Sequence, residues 1–237
     1  MLSREEKIQL IILKEEKLQR VRENAWLKWF PDTGEHRREL YKKHTEVFEA
    51  TNADPEDVTE VAFIAANRIG KTIVGAYCVK CWTTGVYPDW WTGRVFDGPT
   101  SGYCAGDTGE TVRDILQLEL LGKPGEFGTG MLPAKSIKKT TNKSGIPDGV
   151  KDIYVYHEPT GGTSHVEMKS YDQKRKAFQG TGKNWILNDE EPPMDVYTEE
   201  LIRLMVTNGV MLNTFTPLSG LSEVVLSFFP GGKVQNG

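Results

Sequence analysis

The residues best equipped for chemistry are Gly70-Lys71-Thr72 and, far downstream, Asp189-Glu190. In "FIAANRIGKTIVG", Phe63 to Gly75, an apolar run leads into Gly-Lys-Thr at the head of a helical pattern. Such a turn suits a phosphate: backbone N–H groups of the loop point at the anion, the lysine neutralises it, and the hydroxyl joins a Mg²⁺ shell. The binding candidates are therefore Ala66, Asn67, Arg68, Ile69, Gly70, Lys71 and Thr72. The usual G-x-x-x-x-G-K-[ST] pattern lacks its first glycine, because Ala65 stands there. Alanine leaves a loop of the same shape open unless that position must take a positive φ. The competing reading is a basic turn that happens to spell GKT.

The second motif is "WILND", where apolar Trp185 to Leu187 run into Asp189, followed by Glu190. An acid at a strand end can hold Mg²⁺ through water, and a neighbouring carboxylate can orient the water that attacks a phosphorus. A merely solvated acidic turn would have to produce the strand, both acids and the upstream GKT in this order by chance.

Positioning these residues takes alternating strands and helices. "EVAFIA" reads as a strand into the Lys71 loop, followed by a helix over 72–84. "SGYCAGD" reads as a short strand, and "TGETVRDILQLELLG" as a helix with Asp107 or Thr108 as N-cap and Gly122 as its stop. "KDIYVYHEPTGGTSHVEMKSYD" alternates as a hairpin, "NWILND" is a strand, 196–207 a helix, and "GVMLNTFTP" another strand. The Gly-, Pro- and Lys-rich stretch 123–149 reads as an exposed excursion. This alternation predicts an α/β fold with a parallel-rich sheet flanked by helices.

Ahead of it lies a helical segment. "SREE", Ser3 to Glu6, is a capping box, and Ile8, Ile11, Ile12, Leu18, Val21, Trp26 and Trp29 recur at roughly helical spacing opposite a charged face. That helix is expected to pack on the main domain or on a neighbouring subunit. "FPDTGE" breaks it, and a second helix is expected over 35–50.

The chain has 237 residues and a formal charge of −4, so there is no global basic field, and a nucleic-acid partner would have to be held by local patches. No apolar run approaches a membrane span, and the N-terminus lacks a signal-peptide pattern. Cys78, Cys81 and Cys104 cannot form a paired disulfide framework and fit a cytosolic compartment. Cys78 and Cys81 spell C-x-x-C, but the scattered histidines do not complete a zinc site, so they read as packing residues.

In family order, "YKKHTEVFEA", "AANRIGKT", "ETVRDILQLELLG", "GTGMLPAKSI", "KSYDQKRKAFQGT", "ILNDEEPPMDVYTE" and "NTFTPLSGLSEVVLSF" resemble the large terminase subunit of tailed bacteriophages and prophages, over about residues 40–229. That family tolerates phosphate loops without the first glycine. The resemblance implies a P-loop NTPase of RecA-like, additional-strand, catalytic-glutamate type with an N-terminal helical appendage. Its divisions would be 1–55 as a helical segment packing on the core, 56–230 as the ATPase core, and 231–237 as a linker toward a C-terminal nuclease domain.

The resemblance also implies ATP hydrolysis powering translocation of double-stranded DNA into a procapsid. Lys71 and Thr72 would serve phosphate and Mg²⁺, Asp189 would be the Walker B acid, and Glu190 the catalytic carboxylate. Arg68 would stabilise charge at the γ-phosphate, and Thr214 and Thr216 would form a coupling motif. Tyr41, His44 and Phe48 are the local candidates for the adenine pocket, each equally a packing residue. The trans-acting arginine of some relatives has no counterpart, since Gln179 precedes Gly180, which leaves Arg175 and Arg203. The implied cofactors are ATP and Mg²⁺. The implied partners are double-stranded DNA, the capsid portal protein, the small terminase subunit and further copies in a ring on the portal, with no membrane, in the host cytoplasm. Two other readings stay open: a P-loop helicase or remodelling ATPase, and a non-catalytic DNA- or portal-binding module with a vestigial nucleotide site. The lysines 135, 138, 139 and 143, and Lys169, Lys174, Arg175 and Lys176, are the dense basic clusters, either solvated faces or a sequence-blind DNA grip.

Overall fold

The two central strands that end at the rim begin with unbroken apolar runs, Trp185–Leu187 and Val210–Leu212, rather than alternating, as strands covered on both faces do. A computed structural model describes residues 3–54, 56–218 and 220–229, except for the side chains of 17, 18 and 20–23. One seven-stranded sheet is built from β1 (Thr59–Ile64), β2 (Ser101–Gly106), β3 (Ile137–Asn142), β4 (Val150–Tyr156), β5 (Thr163–Ser170), β6 (Trp185–Asp189) and β7 (Val210–Phe215). The order is β1-β7-β6-β2-β5-β4-β3. The first five in that order are parallel, and β4 and β3 are antiparallel additions. Strand β7 thus lies between the strand that feeds the Lys71 loop and the strand that ends in Asp189, which is the additional strand of the expected α/β class. The hairpin expected at 151–172 is β4 and β5.

Helix α3 (Lys71–Thr84) packs on one face and α6 (Met194–Met205) on the other. Because side chains alternate along a strand, Trp185 and Leu187 join the α3-side core while Ile186 joins the α6-side core. Asp189 therefore points to the α3 side.

The close fit of β6 depends on glycines. A Cβ at Gly102 would stand 2.3 Å from the Trp185 ring and 2.5 Å from its carbonyl oxygen. That indole also bonds Thr100 Oγ1 at 2.9 Å. Gly102→Ala should therefore lower the unfolding free energy by about 2–3 kcal/mol, the cost of overpacking a filled core. Urea denaturation would read this; an unchanged midpoint would mean that β2 and β6 have room to part.

Three expectations need correction. The helix expected over 35–50 begins later, with a 3₁₀ turn at Arg38–Tyr41 and α2 at Lys42–Ala50. The preceding segment is pinned as a turn, since the Arg38 guanidinium bonds the Phe30 carbonyl and Asp32, and His36 lies against Trp29 at 4.5 Å. The stretch 123–149 is not wholly an exposed excursion: Met131 and Leu132 are buried, and β3 forms an edge strand with outward lysines. The helix after β2 is interrupted, running α4 (Gly109–Thr111), a π-helical turn at Val112–Gln117, then α5 (Leu118–Leu121). Thr108 is its N-cap, accepting the Thr111 amide, and Gly122 ends it with φ 88°.

Before the sheet, α1 (Arg4–Glu23) opens with the Ser3–Glu6 capping box. Ile8, Ile11 and Ile12 on it are exposed in the single chain. The side chains of Leu18 and Val21, and residues 231–237, lie outside the described residues. Phe30, Val47 and Phe48 pack into the α3-side core with Tyr77. The three cysteines are free and buried, as packing residues are. Among the described residues no helix is long and apolar enough to cross a membrane.

Candidate functional site

Five parallel strands put their C-terminal ends on one rim, and the two motifs meet there. The loop from Ala65 to Gly70 leaves β1 and enters α3, whose first-turn amides have no intrahelical partners and face outward as an anion site. The loop turns through left-handed backbone at Arg68 (φ 64°) and Gly70 (φ 86°), not at Ala65. The missing glycine is thereby explained: the position Ala65 occupies needs no positive φ, and the one that costs most for a side chain is a glycine. Arg68 carries about 1 kcal/mol or more of backbone strain. Its side chain is exposed and makes no hydrogen bond or ion pair among the described residues.

Lys71 is buried and spends its three donors on the loop and on the segment after β7. It bonds the Ala65 carbonyl at 3.0 Å, the Ala66 carbonyl at 2.8 Å and the Thr216 hydroxyl at 2.8 Å. Thr216 in turn lies 2.8 Å from the Ala65 carbonyl and 2.7 Å from Asn67 Oδ1. Thr216 thus joins the segment after β7 to the loop after β1.

Asp189 sits 3.1 Å, through each carboxylate oxygen, from the Thr72 hydroxyl, and 2.8 Å from that of Thr214. Register explains the meeting: Asp189 pairs with Thr214 across β6 and β7, and both face α3. Burial pushes the Asp189 carboxyl up to about 6, against the Thr214 and Thr72 hydrogen bonds; Glu190 raises it further and Lys71 lowers it. A Mg²⁺ ion takes hard oxygen ligands and needs few from protein, so one carboxylate and one hydroxyl side by side suit it. Among the described residues there is no cluster of three or more His, Cys, Asp or Glu that could cage a metal.

Glu190 is exposed at the same rim and holds an uncommon φ of 88°. Two bonds impose that geometry: its amide donates to the Thr214 carbonyl at 3.1 Å, and its own carbonyl accepts the Tyr171 hydroxyl at 3.0 Å. Glu191, by contrast, accepts the hydroxyl of Ser222, the N-cap of α7 (Glu223–Ser227). The two adjacent acids are therefore distinct, one free at the rim and one tied down. A cleft of about 480 Å³ opens beside them, lined among others by Asp107, Thr111, Glu190, Thr216 and Leu218.

Of the adenine-pocket candidates, His44 touches the loop, with Nε2 2.7 Å from the Ile69 carbonyl. Burial lowers its pKa, so it serves as a neutral donor to that carbonyl. Tyr41 packs edge-on against it at 5.2 Å, whereas Phe48 is fully buried core. The remaining arginines are occupied: Arg175 and Arg203 both bond the buried Glu199.

The basic clusters do not form one surface. Lys135 pairs with Glu158, Lys143 turns in toward Ser170 and the Met168 carbonyl, and Lys169 pairs with Glu167. Lys138 bonds Thr163, while Lys139, Lys174 and Lys176 are exposed. Sequence reading missed Tyr171 and Ser222, which sort Glu190 from Glu191. Neither had a local signal, because both act from distant segments.

The family model for the T4likevirus-type terminase large subunit, N-terminal part, matches residues 62–231. The large terminase subunit of Salmonella phage P22 is 32% identical over 207 aligned residues, which cover 79% of this chain and 41% of that protein. Two structures of the large terminase of the thermophilic bacteriophage D6E are more distant. The ADP complex has TM-score 0.45 and 18% identity, covering 74% of this chain and 38% of that one. The ATP-γ-S complex has TM-score 0.46 and 15% identity, covering 73% and 37%. At those scores the structural likeness is too weak to place any residue. The chain spans about two fifths of the length of these relatives.

Proposed function

The chain belongs to the terminase large-subunit family, and from that premise we propose that it is the ATP-hydrolysing module of a viral DNA-packaging motor. The observation that carries the reading is the convergence of Thr72, Asp189 and Thr214 within hydrogen-bond reach at the mouth of the Lys71 loop. Lys71 exchanges its loop carbonyls for phosphate oxygens, and the α3 amides cradle the same phosphates. Thr72 and Asp189 would hold Mg²⁺, which would neutralise phosphate charge. Glu190 orients a water for attack on the γ-phosphorus and takes its proton, as the bond to the bridging oxygen breaks and ADP leaves. Arg68, exposed on the loop, stabilises charge on the transferring group. Thr216, the first residue after β7, bonds Lys71, so a change at the phosphates is felt by the segment it begins.

Hydrolysis in this reading drives double-stranded DNA into a procapsid in the host cytoplasm. The portal protein, the small terminase subunit and further copies of the chain would be its partners. Equilibrium binding of ATP and phosphate release, each with and without Mg²⁺, test the enzymatic core. Binding that neither needs the Lys71 loop nor responds to Mg²⁺ would leave a non-catalytic module as the better reading, and strand separation on forked duplexes would favour a helicase.

The DNA grip has a separate test. With Lys143 and Lys169 turned into the fold and the exposed Lys135 paired with Glu158, Lys138, Lys139, Lys174 and Lys176 are the lysines of these clusters that form no ion pair among the described residues and can meet phosphates. Replacing all four by Ala should reduce the salt slope of duplex binding by about 3–4 and leave nucleotide binding intact. An unaltered slope would move the grip elsewhere.

A further inference from the structure

Behind the nucleotide rim, on the α6 side of the sheet, a line of polar side chains runs through an otherwise apolar layer. Asn188 and Asn213 are register partners on β6 and β7, and both are fully buried. Nδ2 of Asn188 donates to Oδ1 of Asn213 at 2.9 Å and to Oε2 of Glu200, on α6, at 2.7 Å. Nδ2 of Asn213 reaches the Val61 carbonyl of β1 at 3.4 Å. A single chain of bonds therefore crosses the three strands whose ends carry the Lys71 loop, Thr214 and Asp189, and fastens them to α6. The surroundings are Ile186, Met211, Val196 and Leu204.

Burying three polar side chains here stabilises less than apolar packing of the same volume would. Their position suggests another role. Asn188 and Asn213 immediately precede Asp189 and Thr214, and alternation places each pair on opposite faces of one backbone. A shift of the Asn188 amide relative to Asn213 is necessarily a shift of Asp189 relative to Thr214.

We propose that the Asn213–Asn188–Glu200 ladder is a positioning device for hydrolysis, which holds Asp189, Glu190 and Thr214 in the mutual register that the reaction needs. The proposal rests on the ATPase reading and adds positioning residues that touch neither nucleotide nor metal.

The state of Glu200 gives the ladder a signature. Facing the carboxyl are Asn188 from β6, the Tyr103 hydroxyl from β2 and the Lys169 ammonium from β5, and its charge would also reach Tyr171 and Tyr197. Oε1 of Glu200, the Tyr103 hydroxyl and Oδ1 of Asn188 make no hydrogen bond of good geometry. The Tyr103 hydroxyl is the one free donor among these three atoms, and a proton on Glu200 adds a second. Burial pushes the carboxyl up to about 8, against the Asn188 hydrogen bond, the nearby Tyr103 hydroxyl and the Lys169 charge. At neutral pH the ladder holds a neutral acid, and above about 8 a buried anion forms that these groups only partly offset, which strains the apolar layer.

The test is an amide titration of the ¹⁵N-labelled chain from about pH 7 to about pH 9.5. The Glu190 and Thr214 amides should move together in one step near 8. Glu200→Gln, which keeps the shape and cannot ionise, should abolish that step. In parallel, Asn188→Leu should lower kcat about tenfold to a hundredfold with KM within about threefold, the cost of a displaced but still occupied site. Retention of the step in Glu200→Gln overturns the proposal, as does an Asn188→Leu chain with altered stability but unchanged kcat. The titration needs no nucleotide, so failure of the chain to bind ATP would sink the ATPase reading alone and leave the ladder to be judged on the amides.

Discussion

Lys71→Ala is expected to weaken ATP binding by about a hundredfold or more. Lys71, the first residue of α3, offers three donors at the mouth of the loop, and hydrogen bonds from an ammonium to phosphate contribute about 1.5–3 kcal/mol each. Two such bonds lost correspond to at least two orders of magnitude in affinity. The substitution also leaves the Ala65 and Ala66 carbonyls without that donor, so part of the loss would come from a loosened loop. Calorimetric titration with ATP and Mg²⁺ reads the affinity, and thermal unfolding of the same sample separates a damaged fold from a damaged site. A variant that unfolds like the parent and binds ATP as tightly removes Lys71 from the phosphate site.

Glu190→Gln should behave in the opposite way, keeping nucleotide affinity within about threefold while turnover falls by about 10²–10⁴. The amide preserves shape and the left-handed backbone at this position but cannot take a proton from water. Glu191→Gln supplies the contrast. Its carboxylate is already committed to Ser222 at the start of α7, so its loss should disturb that helix cap and spare turnover. Single-turnover phosphate release with each variant distinguishes the two acids. Equal losses would mean that both reach the nucleotide, and a loss confined to Glu191→Gln would reassign the base.

Much of the architecture was legible because it rests on short-range rules. Uniformly apolar runs at 61–64, 185–187 and 210–212 read as central strands, and Gly-Lys-Thr after the first of them places a loop at a strand–helix junction. The capping signals at Ser3 and Thr108 and the stop at Gly122 hold for the same reason, since each concerns neighbours in the chain. Legibility failed where distant segments compete with local preference. The helical pattern of 35–50 loses its first turns to the contacts of Arg38 and His36 with Phe30, Asp32 and Trp29. The Lys-rich stretch 123–149 gains β3 because β4 presents an edge that needs a partner.

By itself, then, the sequence determined which residue types could handle a phosphate, in what order they come, and that alternating strands and helices would carry them. Those are properties of composition and spacing along one chain. Only the tertiary structure decided that Thr72, Asp189 and Thr214 share one cluster, because parallel pairing of β6 with β7 sets their register and α3 lies across the same face. It also decided that Glu190 is free while Glu191 is bound, a choice made by Tyr171 and Ser222 from elsewhere in the chain. It placed the left-handed backbone of the loop after β1 at Arg68 and Gly70 rather than at Ala65. Hydrogen-bond geometry between segments more than a hundred residues apart, such as Lys71 and Thr216, is set by the packing of the whole sheet, and no window of sequence contains it.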